Sequence, residues 1–304
     1  MRRAIAVRME SAILKTMTEG AVMNRREVLT FAGVVLSQGS RLAGAQGTHK
    51  EDGFRPLFDG VSLRGWKRQP RSLAQPSLGR WTVEDGVIVG GQDPPGSGIG
   101  SYLVTEDVFA DFELQIEARP DWPADTGVLV RTNAQGNVGF QVLIDHRPHG
   151  GIGGYYGNGL GNFHAWAYSF TAEKDRDGRL LRLIPGPPEE PNRGNVTLPL
   201  DFAVPVETFL RVWKVGDWNQ FRIRSAGALP HLTTWINGEK IAELDTAKMQ
   251  ASGWDPQAVL EKLGRAGHIA LEVHSNGPND PLGKDRWAPG AVCRWRNISI
   301  KVLS

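Results

Sequence analysis

Thr233-Thr234-Trp235-Ile236-Asn237-Gly238-Glu239-Lys240-Ile241-Ala242 places Asn-Gly between two runs of strand-forming residues. A two-residue type I′ turn needs positive φ at both central positions, and Asn followed by Gly meets that need at little cost, so a β-hairpin is expected here. Outward from this hairpin the same pattern recurs: short alternating runs broken by Gly, Pro and Asn, with almost no amphipathic helical periodicity. Strands are expected at 81–89, 111–118, 127–132, 139–145, 219–225, 232–236, 239–243, 268–274 and 293–302. One short helix is expected at 255–263, with Asp255 as N-cap and Pro256 in the first helical position. Residues 171–205 and 276–290, rich in Pro and Gly, are expected as long surface loops, which in compact domains are often lids or binding loops. The pattern is that of an all-β sandwich or barrel.

The N-terminus is set apart from the fold. Met23-Asn24-Arg25-Arg26-Glu27 precedes an apolar run at 28–36, and Ala43-Gly44-Ala45 follows, the layout of a cleavable signal peptide. The run is shorter than the roughly 20 residues of a membrane span, so no permanent membrane anchor is expected. Arg25-Arg26 fits the twin-arginine route, which places the mature protein in the periplasm or outside the cell. Residues 1–22 are expected to be an upstream extension, and residues 46–304 are expected to form a single domain, since undivided β domains of roughly 200–250 residues are common.

The whole chain carries a formal charge of +2. Without residues 1–45 it loses seven of 35 basic and three of 33 acidic residues, leaving 28 and 30 and a formal charge of −2. That balance gives no basic footprint for nucleic acid, which is not expected as a partner. Cys293 is the single cysteine, so no intramolecular disulfide can form. It alternates with Trp295 and is expected as a buried thiol.

Alternation also sorts polar residues onto one side of each strand. If the expected strands share a sheet, its outer face presents Glu117, Arg131, Gln141, Asp145, Glu272 and His274 opposite apolar partners. The alternative is a solvated outer face, which antiparallel sheets commonly have. The stretch from Asp145-His146-Arg147-Pro148-His149 through Tyr155-Tyr156 to His164-Ala165-Trp166 favours a site, because it holds three of the seven histidines beside aromatics and glycines. Glycine lets backbone approach a ligand, and Tyr or Trp rings stack on sugars. A divalent cation on His146, His149, His164 and Asp145 is a rival reading, but no HExxH or CxxC spacing accompanies them and no cofactor is expected. Gly150-Gly151-Ile152-Gly153-Gly154 lacks the spacing of a phosphate loop.

Several segments carry a family resemblance. Leu57-Phe58-Asp59-Gly60-Val61-Ser62-Leu63-Arg64-Gly65-Trp66 is similar to an opening LFDGKSLxGW, and Trp81-Thr82-Val83-Glu84-Asp85-Gly86-Val87-Ile88 to WxVEDGVL. Asp111-Phe112-Glu113-Leu114, Thr126-Gly127-Val128-Leu129-Val130-Arg131 and Arg296-Asn297-Ile298 add similar matches along 54–302. The chain resembles the 3-keto-disaccharide hydrolase domain family (DUF1080). The resemblance implies a concanavalin-like jelly-roll sandwich of two antiparallel sheets, with long loops and at most one or two short helices. It also implies a carbohydrate substrate, a 3-keto-glycoside made by a separate sugar 3-dehydrogenase. In Phe140-Gln141-Val142 and Leu271-Glu272-Val273-His274 the chain departs from the resemblance, in which the carboxylate belongs to the first strand and the amide to the second.

The resulting expectation is an exported enzyme cleaving 3-keto-glycosides by acid/base chemistry. His274 or His146 would be base or acid, assisted by Asp145 and Glu272. Arg131 would bind hydroxyls or an enolate oxygen. Glu117, Gln141, Arg147, His149 and His164 would contact the sugar, and Tyr155, Tyr156 and Trp166 would shape its pocket. A non-catalytic carbohydrate-binding module is the alternative, because jelly rolls host binding as readily as catalysis.

Overall fold

The structure is a computed structural model that describes residues 53–72, 77–146, 151–186, 198–250, 253–276, 283 and 286–304. In chain order the strands begin with β1 (Arg55–Pro56), β2 (Trp66–Arg68), β3 (Arg80–Glu84), β4 (Val87–Gly91), β5 (Ser101–Thr105) and β6 (Phe112–Pro120). They continue with β7 (Thr126–Thr132), β8 (Gly139–Ile144), β9 (Ile152–Asn158), β10 (His164–Ala165), β11 (Phe170–Lys174) and β12 (Leu180–Pro185). The last are β13 (Phe202–Ala203), β14 (Asn219–Ala226), β15 (His231–Ile236), β16 (Glu239–Asp245), β17 (His268–Val273) and β18 (Val292–Val302). Two short helices, α1 (Val206–Val212) and α2 (Pro256–Leu263), complete the described elements with one 3-10 turn at Thr246–Lys248.

Two antiparallel sheets face each other, as expected of a concanavalin-like jelly roll. The first runs β13-β16-β15-β14-β6-β18-β4-β3, with β1 also on β18; the second runs β10-β9-β8-β7-β17-β5-β2. Their inner faces share one core. Phe112, Leu114, Ile116 and Ala118 of β6 contribute to it from one side, and Val128, Val130, Phe140, Val142, Leu271 and Val273 from the other. Trp81 and Trp295 pack at 5.6 Å between ring centres, and Cys293, two residues before Trp295, is buried, its thiol pushed well up by burial. It is a packing residue.

Local chemistry accounts for the turns. Asn237 and Gly238 have φ of 51° and 87°, as a type I′ hairpin requires. The strand expected at 81–89 is instead a hairpin, because Asp85-Gly86 supplies the same kind of turn, with φ of 49° and 79°. The opening LFDG segment is closed by side chains. Asp59 Oδ1 accepts from the backbone of Val61 and Ser62 at 2.8 and 2.7 Å, and the Trp66 indole donates to the Leu57 carbonyl at 2.8 Å. Helix α2 starts at Asp255, whose carboxylate accepts from Gln257 and Ala258 at 2.9 and 3.1 Å.

The expected loop at 171–205 needs correction. Phe170–Lys174 and Leu180–Pro185 pair as a hairpin, joined by Asp175, whose Oδ1 caps Asp177 and Arg179. Likewise Ile152–Asn158, absent from the strands expected above, is a strand between β8 and β10. Glycine depressed its strand signal, yet its neighbours supply the pairing. Among the described residues, no helix is long and apolar enough to cross a membrane.

Candidate functional site

The site is built on the outer face of the second sheet. Leu271 and Val273 point into the core, so the pleat turns Glu272 outward, and His274 follows it on the same side. Glu272 is nevertheless 3% exposed. Tyr102 of β5 donates its hydroxyl to Oε1 at 2.9 Å, and Gln141 of β8 donates its amide to Oε2. Gln141 and Glu272 are separated by β7, and the amide crosses it above Gly127. A Cβ on Gly127 would lie 2.5 Å from Gln141 Nε2 and 2.8 Å from its Cγ, so only glycine leaves the crossing open.

Burial raises the Glu272 carboxyl above its ordinary pKa; nearby His274 and the two hydrogen bonds pull it down, while Asp125 pushes it up. The net direction is upward, which makes this carboxyl easier to protonate than a solvated glutamate. Tyr102 is pushed well above 10, chiefly by burial and then by Glu272, so its hydroxyl stays a donor. Asn158 of β9 donates to that hydroxyl at 3.3 Å.

His274 forms the other half. Its Nδ1 lies in hydrogen-bonding contact with the Ser275 carbonyl, which can only accept, so Nδ1 carries the proton. Nε2 then presents its lone pair, with Arg286 Nη1 3.2 Å away. The buried Asp125 carboxylate lies 3.8 Å from both His274 Nε2 and Arg286 Nε. Bonds to the backbone fix this group: the Asp125 N–H donates to the Arg286 carbonyl at 2.9 Å, and the Gln92 side-chain amide donates to the His274 carbonyl at 3.3 Å. Beyond Gln141, Tyr156 stands opposite it in register and His164 opposite Tyr156. Their rings are 4.6 Å apart, and Trp166 stacks on His164 at 4.7 Å. Burial and Glu272 raise the Tyr156 hydroxyl, and Arg286 opposes them.

Several expected residues lie elsewhere. Glu117 belongs to the first sheet, since β6 pairs with β14 and β18, and it is tied to Arg296 Nε at 2.7 Å and Asn297 Nδ2 at 2.8 Å. The other strands expected to share that face, β7, β8 and β17, do lie together in the second sheet. Arg131 turns away at a φ of 51° and donates to Ala110 O, Gly227 O and Asp111 Oδ1 at 2.6, 2.8 and 2.8 Å, and also to Arg265 O. It is a clamp within the fold. Tyr155, one residue from Tyr156, alternates into the core and donates to Ala242 O at 3.0 Å. Asp145 is buried at the end of β8 beside His146, and the carboxylate beside His274 is that of Asp125. Arg147 and His149 lie outside the described residues.

His146 also faces inward, between Trp122 at 5.2 Å and Trp213 at 5.4 Å. Burial pushes its pKa down to about 4, so it is neutral and packed. It does not meet His164, and among the described residues no three His, Cys, Asp or Glu side chains are grouped to hold a metal ion. The shift has a stability consequence. An unfolded imidazole protonates near 6.5, so between pH 6.5 and 4 the unfolded chain binds the extra proton. Stability from this residue is complete above pH 6.5 and falls as pH drops toward 4, by about 3 kcal/mol in all. Urea melts of His146→Leu between pH 7 and 4.5 should show a flatter pH dependence than the parent; an unchanged slope would refute the assignment.

Tyr102, Asp125 and Arg286 were not anticipated. Tyr102 sits in the alternating run Ser101-Tyr102-Leu103-Val104, where Leu103 faces the core, and Asp125 keeps the parity of Gly127 and Leu129. Both signals were present in the sequence. Arg286 had none, because a bridge between Ala124 and Trp287 brings it in from a distant loop.

The sequence profile of the 3-keto-alpha-glucoside-1,2-lyase-like domain matches residues 53–301. The chain belongs to this family. No curated protein matches the sequence. Among solved structures, a protein from Parabacteroides distasonis provisionally described as a glycosyl hydrolase is 17% identical, with 84% of this chain and 96% of that one covered at a TM-score of 0.45. The β-glucanase of Bacillus licheniformis is 8% identical, covering 83% and 97% at 0.43. The carbohydrate-binding module CBM66 of Bacillus subtilis is 9% identical, covering 78% and 95% at 0.38. Membership of the 3-keto-alpha-glucoside-1,2-lyase-like family supports a carbohydrate-active function.

Proposed function

We propose that the protein cleaves 3-keto-glycosides by elimination across C1 and C2, followed by addition of water. A ketone at C3 acidifies the C2 proton. His274 Nε2 takes that proton, and the electron pair passes into an enolate whose oxygen is met by Arg286 or Tyr102. The enolate collapses to an enone, breaking the C1–O bond, and Glu272 protonates the departing oxygen. Water added to the enone completes a net hydrolysis, and the two side chains return to their starting protonation through solvent. The observation that carries this reading is the pairing of a buried carboxyl, raised by that burial, with an imidazole held through Nδ1 by a backbone carbonyl two residues away on one sheet face. The ketone implies a separate sugar 3-dehydrogenase upstream, and residues 23–45 support export to the periplasm by the twin-arginine route.

Purified protein should release aglycone from a 3-keto-glucoside and not from the unoxidised parent, with and without chelator. Cleavage of the parent would instead make Glu272 and Asp125 the carboxylates of an ordinary glycosidase and overturn the proposal. The row of Tyr156, His164 and Trp166 favours one other reading, a sugar-binding module. Equal affinity for oxidised and unoxidised sugar without turnover of either would establish that reading.

A further inference from the structure

The outer face of the first sheet lies across the core from Glu272 and His274, and its charges are uneven. Phe112, Leu114, Ile116 and Ala118 of β6, Phe221 and Ile223 of β14, and Trp295, Ile298 and Ile300 of β18 face the core. The residues that alternate with them on these three adjacent strands include six basic side chains, Arg119, Arg222, Arg224, Arg294, Arg296 and Lys301, and two acidic ones, Glu113 and Glu117. The formal charge of −2 for residues 46–304 averages over this difference.

The two carboxylates do not neutralise the face. Glu113 stands in register with both Arg224 and Lys301, yet its Oε2 accepts from Arg222 Nε and Nη2 at 3.0 and 2.5 Å. Glu117 is taken by Arg296 at 2.7 Å. Arg294 and Arg119 stand directly opposite each other, a cross-strand pairing of like charges that is unfavourable in itself. Asp121 offsets Arg294 at 2.5 Å, but among the described residues Arg119, Arg224 and Lys301 have no acidic partner.

Tryptophan lies among these guanidinium groups. Arg296 sits over the Trp218 ring at 4.1 Å and Arg119 at 5.0 Å, and Arg222 over Trp235 at 5.2 Å; both rings are half-buried. The Arg222 and Arg296 side chains are 45% and 30% exposed, and Arg224 is exposed. The charges are thus spread in two dimensions over a sheet face, which matches a planar array of anions better than a single extended chain. Guanidinium binds phosphate through paired donors, and tryptophan favours the headgroup level of a bilayer.

We propose that this face docks the protein reversibly on a bilayer surface rich in anionic phospholipid. Docked in this way, the sheet that bears Glu272 and His274 faces away from the bilayer, so attachment and access to the site do not compete.

Cosedimentation of the full chain with vesicles tests this. The protein should pellet with mixed phosphatidylglycerol–phosphatidylcholine vesicles and not with phosphatidylcholine alone, and raising salt from about 50 to about 500 mM should release it. Arg119→Gln combined with Arg224→Gln should bind roughly 25-fold more weakly, about fivefold for each arginine removed, at an unchanged melting temperature. Residues 1–45 are common to parent and variant, so the difference between them belongs to the sheet. Should that variant melt early, Arg224→Gln with Lys301→Gln carries the same expectation. Parental affinity in a folded variant, equal pelleting with both vesicles, or no pelleting overturns the proposal. So does release by inorganic phosphate at matched ionic strength, which would mark a phosphate clamp, or tighter binding of soluble polyaspartate, which would mark an acidic protein partner. Turnover is not the readout, so the result is independent of the elimination chemistry.

Discussion

His274→Ala is expected to lower kcat on a 3-keto-glucoside by about 10²- to 10⁴-fold, the contribution typical of a positioned general base. The imidazole side chain is 29% exposed, so its removal leaves no core cavity. Thermal melting and affinity for the unoxidised sugar should therefore remain close to those of the parent, separating the chemical loss from a folding defect. Asp125→Asn is expected to fall between parent and His274→Ala, because Asp125 acts through the His274–Arg286 pair at 3.8 Å. Turnover of His274→Ala within tenfold of the parent would remove His274 from the role of base and leave Glu272 as the group that takes the C2 proton.

Arg131→Ala should act on stability instead, costing about 3–5 kcal/mol, because it takes the guanidinium donor from three carbonyls and the counter-charge from the Asp111 carboxylate. The guanidinium side chain is 3% exposed, so water cannot replace it without opening the structure. Chemical denaturation should show the loss as a lower midpoint, while the protein that remains folded binds sugar as the parent does. A variant of parental stability that no longer binds sugar would restore the contact role expected from its place in Thr126-Gly127-Val128-Leu129-Val130-Arg131.

These two arginine and histidine positions show where sequence reasoning succeeds and stops. Alternation is local, and it placed Gln141, Glu272 and His274 on an outer face and the apolar residues between them in the core. Which strands share a sheet is not local. Glu117 had the right parity and the wrong sheet, because β6 pairs with β14 and β18 far along the chain. Arg131 kept the parity of Leu129 until its positive φ broke the alternation. Tyr155 and Tyr156 are adjacent, so only one can face a ligand, a choice that became clear once Ile152–Asn158 proved to be a strand. His146 was weighed for its chemistry, but its fate was set by two tryptophans distant in sequence.

The amide of Gln141 reaching the Glu272 carboxyl above Gly127 ties three strands into one unit of inheritance. No one of these positions can drift alone. A carboxyl at 141 and an amide at 272 would preserve the same bridge, whereas two carboxyls would repel and two amides would lose the titrating group. Any side chain at 127 would sever either version. Relatives of this chain should therefore exchange the first two residues as a pair and keep the third unchanged, so that the proton-bearing group migrates between strands without the site being rebuilt.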